Sequence, residues 1–459
     1  MKTLVIIGAG FSGAVTAAQF LRHSPSDVRV VLINRSGSMA RGLAYGTNSS
    51  LHLLNVPAGN MSAYVDDPEH FLRFCQTQNI AYKASSFVPR KIYGDYLASV
   101  LDEAEKQAPS NVKLERVVSE VESLRQDGTG AVLELSNGRQ INADQVVLAF
   151  GNFSPLDPPG FDSSLNVLRY QPDPWSASGM PLVDKESAVL LVGAGLTALD
   201  VSLSLLQQGH RGPIYMVSRR GLRPLPHRQQ RSSNGVPLTV AEKLLGVPPT
   251  ARGYMRVIRN EVNIAKQQDF DWRDVLAAMR SITPKLWGRL PGIERKRFLR
   301  HVQPYWDIHR HRVAPAAYQR FNDAVLAGQV QLIAGRIRHV NEHLRGLMIE
   351  IELRETGQFK QILVTRAVNC TGPNTNLLRV NDSLINQLRK DLLLTPDTLG
   401  LGINVSESLA VITEHGESSS WLHYIGPMLK SELWEATAVP ELRQHAKTLA
   451  VRLAENMVF

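Results

Sequence analysis

An α/β fold built twice along one chain is what the sequence predicts, and three observations carry that reading. Residues 4–13 read LVIIGAGFSG: a β-branched run breaks into Gly8, Gly10 and Gly13, and an alanine-rich segment follows to Leu21. The same order of parts returns about 185 residues later as AVLLVGAGLTA, with Gly193, Gly195 and Ala198. Beyond the second copy, residues 219–320 form a basic stretch with helical spacing. Strand, glycine turn and helix in the same context twice over point to an α/β chain with two Rossmann-like dinucleotide-binding domains and a helical insertion.

The physical reason lies in the turn. Gly8 suits the tight bend, Gly10 leaves room for a pyrophosphate against the backbone, and Gly13 lets helix and strand pack closely. Phe11 and Ser12 open the helix, whose free N–H groups and partial positive charge favour phosphate. Leu196 and Thr197 hold the matching places after Gly195. The second strand, residues 28–36, ends at Asn34 and Arg35, where an acid usually accepts a bond from the adenosine ribose. Asn34 can accept through its amide oxygen, without the help of charge.

Residues 41–75 then form a long segment with little periodicity, a length that usually marks a functional loop. Residues 91–105 have helical spacing through Tyr93, Tyr96, Leu97, Val100 and Leu101. Residues 112–150 alternate as strands, with Asn137-Gly138 as a hairpin turn. The apolar run that ends at Gly151 reads as a buried parallel strand.

In the second copy the strand PIYMVSRRG ends at Ser218, Arg219 and Arg220. Arginine there favours the 2′-phosphate of NADP over the bare ribose of NAD, because a guanidinium grips phosphate through forked, charge-assisted bonds. Residues 219–320 hold about 21 Lys and Arg against about 7 Asp and Glu, and their apolar spacing predicts three or four helices. Within them, WDIHRHRVAP carries Asp307, His309, Arg310 and Arg312, a polar network suited to a substrate cleft. His309 and His311 sit two apart with no third ligand evident, so no metal is expected. The tail returns to strands, one ending at Gly372 and another at Gly426-Pro427, and two helices are expected after the latter.

Composition bounds the rest. With 459 residues, two or three domains are expected, and an apolar content of 43% fits a globular chain. The two cysteines, Cys75 and Cys370, form no CxxC pair, which counts against a dithiol centre and fits a reducing cytoplasm. Glycines interrupt the N-terminal apolar run, so it does not read as a signal peptide, and no apolar stretch reaches membrane-spanning length. Few aromatics interleave with the basic residues of 219–320, which counts against nucleic acid as a partner.

The order of parts resembles the two-dinucleotide-binding-domain flavoproteins, in particular the FAD/NAD(P)-binding family that includes YdhS-like proteins. GAGFSG, RGLAYGT, HLLNVPAGNMSA, VVLAFGN, VGAGLTALD, WDIHRHRVAP and IGPMLKSELWEATAVPELR carry the resemblance from residue 4 to about 445. NMSAYVDDPEHFLRF and VPRKIYGDYL are also similar, more loosely, to segments of the N-hydroxylating and flavin-containing monooxygenases. The resemblance implies FAD at the first glycine turn and NADPH at the second. It places Arg41, Gly42, Leu43, Tyr45, Asn55, Val56, Pro57, Met61 and Ser62 along the flavin. It implies an FAD-binding domain of residues 1–165 and 373–459, an NADP-binding domain of 166–222 and 329–372, and an insertion of 223–328. The activity implied is an NADPH-consuming, FAD-dependent monooxygenase acting with oxygen on a small organic substrate. A flavin reductase or dehydrogenase without oxygen activation, and a redox-sensing dinucleotide-binding protein, are the alternatives. No catalytic side chain stands out, and the substrate-cleft candidates are Asn55, Asp307, His309, Arg310 and Arg312.

Overall fold

The computed structural model describes residues 1–24, 27–162, 164–176, 183–228 and 239–458. They fall into two compact units: residues 1–50, 56–153 and 375–459, and residues 51–55 and 154–374.

The first unit is built on a six-stranded sheet. Its strands lie in the order Ala410–Ile412, Ser418–Tyr424, Gln145–Leu148, Lys2–Ile7, Val28–Asn34 and Lys113–Val118. All neighbours are parallel except the first pair. The central strands are apolar because both faces are covered: Leu4, Val5, Ile6, Val30 and Val31 have no exposed surface. Burying each such side chain contributes about 1.5–3 kcal/mol. Helix Phe11–His23 follows the first strand and packs against helices Arg90–Gln107 and Val439–Asn456. A separate antiparallel sheet holds Val121–Asp127, Gly130–Leu135 and Gln140–Ala143. Its second hairpin turns at Asn137-Gly138 with Gly138 at φ +79°, as the dipeptide predicts.

The second unit carries a seven-stranded sheet in the order Phe359–Val364, Gly346–Leu353, Val330–His343, Ile214–Ser218, Val189–Val192, Arg366–Asn369 and Tyr170–Gln171. Strand Val330–His343 serves two patterns. Residues 330–334 pair in parallel with Ile214–Ser218, and from Gly335 onward the strand pairs antiparallel with Gly346–Leu353. Gly335 marks the change, since a Cβ there would lie 2.7 Å from the Glu352 carbonyl oxygen.

Between Ile214–Ser218 and Val330–His343 most of the described chain is helical. Seven α-helices stand there: Val240–Gly246, Ala251–Lys266, Trp272–Ala278, Thr283–Arg289, Gly292–His301, Gln303–Arg310 and Pro315–Leu326. Apolar spacing predicts only three or four, because it does not register the prolines. Pro248 and Pro249, Pro284, Pro291, Pro304 and Pro315 each fall between helices or in a first turn, where the missing N–H costs nothing. Residues 229–238 of the expected insertion lie outside the described residues. The C-terminal expectation is also corrected. One α-helix, Val439–Asn456, follows Gly426-Pro427, and the short 3-10 helix Pro427–Ser431 replaces the other.

Candidate functional site

The first glycine turn is shaped by the strand beside it. Gly8 has φ +106°, its N–H donates to Ile33 O at 2.8 Å, and a Cβ would lie 2.7 Å from the Ala149 carbonyl oxygen. Gly13 is more restricted still, for a Cβ there would lie 1.8 Å from Gly8 O. Gly10 caps helix Phe11–His23 without any side-chain bond, so the N–H groups of Phe11, Ser12 and Gly13 have no intrahelical acceptor. Those donors, with the helix dipole, fit a pyrophosphate.

Over this turn lies residues 41–45. Gly42, at φ +56°, would carry a Cβ 3.0 Å from the Gly10 Cα. Helix Arg90–Gln107 pins the segment: Arg41 Nη2 donates to Asp95 Oδ1 at 2.5 Å, and Gly94 leaves room for the Tyr45 carbonyl. The Tyr45 ring packs edge-on against Tyr93 at 4.6 Å, and burial pushes its hydroxyl pKa up to about 12. Leu43 is exposed.

Asn34 stands at the end of its strand as expected. Its Nδ2 donates to Ser36 Oγ at 3.0 Å and to Ser38 O at 2.9 Å. A carbonyl can only accept, so the amide orientation is fixed and Oδ1 is left as an acceptor. Arg35 is exposed and lies 3.7 Å from Glu120 and 3.6 Å from Asp382.

The remaining residues of that group separate. Pro57 caps the 3-10 turn Ala58–Asn60, with Val56 before it in the first unit. Asn55 belongs to the second unit, where its carbonyl accepts from His227 Nε2 at 2.8 Å. Met61 is 2% exposed and Ser62 has no exposed surface. The Ser62 hydroxyl donates to Asp67 O at 2.6 Å and accepts from the Tyr64 N–H at 3.1 Å, so it braces its own loop. Gly151 is exposed with open space at its Cβ position. Gly426 is buried at φ +152°, where a Cβ would lie 2.5 Å from the Tyr424 hydroxyl. That hydroxyl donates to Phe150 O at 3.2 Å and accepts from the Met428 N–H at 3.0 Å, so it ties the Gly426-Pro427 turn to the strand end beside it.

The second glycine turn repeats the first. Gly193 has φ +119°, donates to Val217 O at 2.8 Å, and would carry a Cβ 2.5 Å from Cys370 O. Gly195 caps helix Leu196–Gln207, again with no side-chain bond, and nothing lies within 4 Å of its Cβ position. Leu196 and Thr197 are half-buried at the helix start. Gly372, at φ +95°, also faces open space.

At the neighbouring strand end, Ser218 Oγ accepts from the Gly221 N–H at 3.1 Å, which closes the turn. The two arginines differ. Arg219 is exposed, whereas Arg220 Nη2 donates to Arg300 O at 2.9 Å, in the last turn of helix Gly292–His301. Sequence reasoning missed Arg354, whose Nη1 donates to the Arg219 carbonyl at 3.3 Å. It arrives from the turn after strand Gly346–Leu353, 135 residues away, so no local pattern marks it.

The histidines of WDIHRHRVAP do not converge. His309 Nδ1 donates to Tyr305 O at 2.7 Å and its ring packs edge-on against Trp272 at 4.7 Å. His311 Nε2 lies 3.9 Å from Asp307 Oδ1. No group of three potential ligands that could hold a metal occurs among the described residues. His227, which nothing in the sequence singles out, is half-buried among cations. Burial first, then Arg312, Arg273 and Arg310, hold its pKa down at about 4.

Residues 5–153 match the model of a family described as FAD-NAD(P)-binding. None of the curated proteins matches the chain. Among solved structures it is similar to the L-lysine 6-monooxygenase of Pseudomonas syringae, at 14% identity and TM-score 0.67, with 100% of both chains covered. It is similar to an ornithine N-hydroxylase of Kutzneria sp. 744 determined with reduced FAD, NADP+ and L-ornithine, at 13% identity and TM-score 0.60 over 99% of this chain and 98% of that one. A thioredoxin reductase of Lactococcus lactis follows at 10% identity and TM-score 0.52, over 99% and 98%. At these identities the fold is what is shared, and it is that of the two-dinucleotide-binding-domain flavoproteins. No described helix is long and apolar enough to cross a membrane.

Proposed function

We propose that the chain is an FAD-dependent, NADPH-consuming monooxygenase that acts with oxygen on a small organic substrate. One observation carries the reading: two glycine turns of the same backbone geometry, each opening a helix with no side-chain cap, stand in a chain that shares its fold with such enzymes along its whole length. Residues 5–153 match an FAD-NAD(P)-binding model, and we assign FAD to the first turn and NADPH to the second. The 1–165 and 373–459, 166–222 and 329–372, and 223–328 divisions are proposed as the FAD-binding, NADP-binding and inserted parts.

Bound together, the two coenzymes supply electrons from a nicotinamide and a ring that can pass them to oxygen. The protein's residues orient and hold. The N–H groups of Phe11, Ser12 and Gly13 receive one pyrophosphate, and those after Gly195 receive the other. Asn34 Oδ1 accepts from a ribose hydroxyl. Arg219, free of any ion pair among the described residues, takes the 2′-phosphate, with Arg354 holding its backbone.

A reductase that works through a cysteine pair has less support, whereas a flavin reductase without oxygen activation needs no such pair. A dithiol route needs exposed, low-pKa cysteines. Cys75 and Cys370 are both buried, and burial raises both thiols, Cys75 to about 12. The test is oxygen uptake by FAD-loaded protein with NADPH, across amines, amino acids and thioethers. An oxygenated product formed in step with NADPH consumption supports the monooxygenase. NADPH oxidation that reduces dyes but yields no oxygenated product supports the reductase, and protein that takes up no FAD refutes both.

A further inference from the structure

A short parallel pairing in the second unit gathers charges that the glycine turns do not use. Leu225 N donates to Ile308 O at 3.3 Å, Val313 N to Leu225 O at 2.9 Å and His227 N to Val313 O at 2.9 Å. The pairing brings Arg312 close to Arg310, Arg273 and Arg228, with Asp271 the carboxylate that opposes them. Asp271 has nothing left to give. Its Oδ1 accepts from Arg228 Nη2 at 2.5 Å and Arg273 N at 2.6 Å, its Oδ2 from Arg228 Nε at 3.0 Å and Arg273 Nη1 at 2.9 Å. Those four bonds fill its lone-pair positions. Asp274 is held by Arg228 at 2.5 Å and by the Asp271 N–H at 3.0 Å.

Arg312 therefore has no ion pair among the described residues, and its Nε–H is buried without an acceptor. An unpaired guanidinium and an unmet buried donor each destabilise the fold. One ligand remedies both: a carboxylate in the guanidinium plane, with one oxygen on Nε–H and the other on an Nη–H. Trp272 lies beside both, with the Arg312 Cζ 5.9 Å and the Arg273 Cζ 4.3 Å from its ring centroid.

We propose that Arg312 anchors an anion site that takes a single carboxylate of the substrate, so that the substrate class is monoanionic. The inference rests on the enzyme reading above. Charge decides for a carboxylate over a phosphate dianion. Asp271 and Asp274 match Arg228 and Arg273, Asp307 precedes Arg310 by three residues on one helix, and His227 stays neutral while donating to Asn55 O. About one cation is left over, at Arg312.

The experiment uses FAD-loaded protein, with benzoate as the probe at constant ionic strength. Phenylglyoxal attacks the unprotonated guanidine, and burial with its neighbouring guanidiniums lowers the Arg312 pKa to about 10. Peptide mapping should find Arg312 among the first arginines modified, and benzoate should slow that modification several-fold without protecting exposed Arg125 or Arg211. Calorimetry should show benzoate bound by the wild type and by Arg312→Lys, and about 10–100-fold more weakly by Arg312→Gln. Circular dichroism of both variants checks folding. No benzoate binding to the wild type, equal binding to Arg312→Gln, or protection by NADPH or inorganic phosphate but not by benzoate overturns the proposal. Flavin reduction by NADPH in the same samples reads the enzyme assignment separately: if it persists without a benzoate site, only the carboxylate anchor fails.

Discussion

The two glycine turns agree at the first glycine and differ at the second and third. At Gly8 and at Gly193 a carbonyl from the next parallel strand fills the space of a Cβ, at 2.7 and 2.5 Å. That position is dictated by how a parallel sheet crosses into a helix, whatever the ligand. At the third position the first turn admits no side chain, with Gly8 O 1.8 Å from the Cβ position of Gly13, while the second carries Ala198, fully buried. At the second position Gly10 faces the backbone of Gly42 at 3.6 Å, and Gly195 faces open space. One turn is roofed by its own unit and the other is open at that point, which suits a coenzyme held through turnover in the first and one that exchanges in the second.

The sharpest way to break this comparison is to exchange the third residues. Gly13→Ala should lose FAD and destabilise by about 3 kcal/mol or more, because backbone blocks the new methyl group. Ala198→Gly should cost only about 1 kcal/mol. Urea midpoints and flavin content measure both, and equal losses would mean that the third position does not distinguish the turns.

Next in size is coenzyme choice. Arg219→Ala should raise the apparent KM for NADPH about 10–100-fold and leave that for NADH nearly unchanged. Arg220→Ala should affect the two coenzymes alike, since its guanidinium serves the Arg300 carbonyl. Gly195→Ala should cost no more than about 1 kcal/mol of stability, the scale of replacing a helix N-cap by alanine. It should still weaken NADPH binding, because the methyl group occupies the approach of the pyrophosphate. Acid acts on both units at once. His227 in the second unit and His423 in the first both have pKa values held at about 4 by burial. The unfolded chain binds protons at about 6.5, so the stability they contribute is complete above that pH and falls away toward pH 4, by on the order of 1 kcal/mol per histidine per unit. Urea unfolding at pH 7 and pH 5 checks the sign.

Both turns were legible because strand, glycines and helix are contiguous in the chain, and the Asn137-Gly138 hairpin was legible for the same reason. The helix count between residues 240 and 326 was not, since prolines divide one amphipathic pattern into several helices. Nor could the sequence separate Arg219 from Arg220, because the difference is a carbonyl 80 residues away. Asp95 beneath Arg41, His227 beside Arg312 and Arg354 behind Arg219 are likewise long-range partners. Ser62 has the composition of a ligand contact, yet its hydroxyl is spent on its own loop.

The most direct measurement is anaerobic mixing of NADPH with FAD-loaded protein while the flavin absorbance is followed. The account predicts FAD bound near one per chain, bleached by NADPH, with oxidised absorbance returning when oxygen is admitted. Protein that holds FAD but leaves it oxidised in the presence of NADPH would contradict the assignment of the two turns to one electron path.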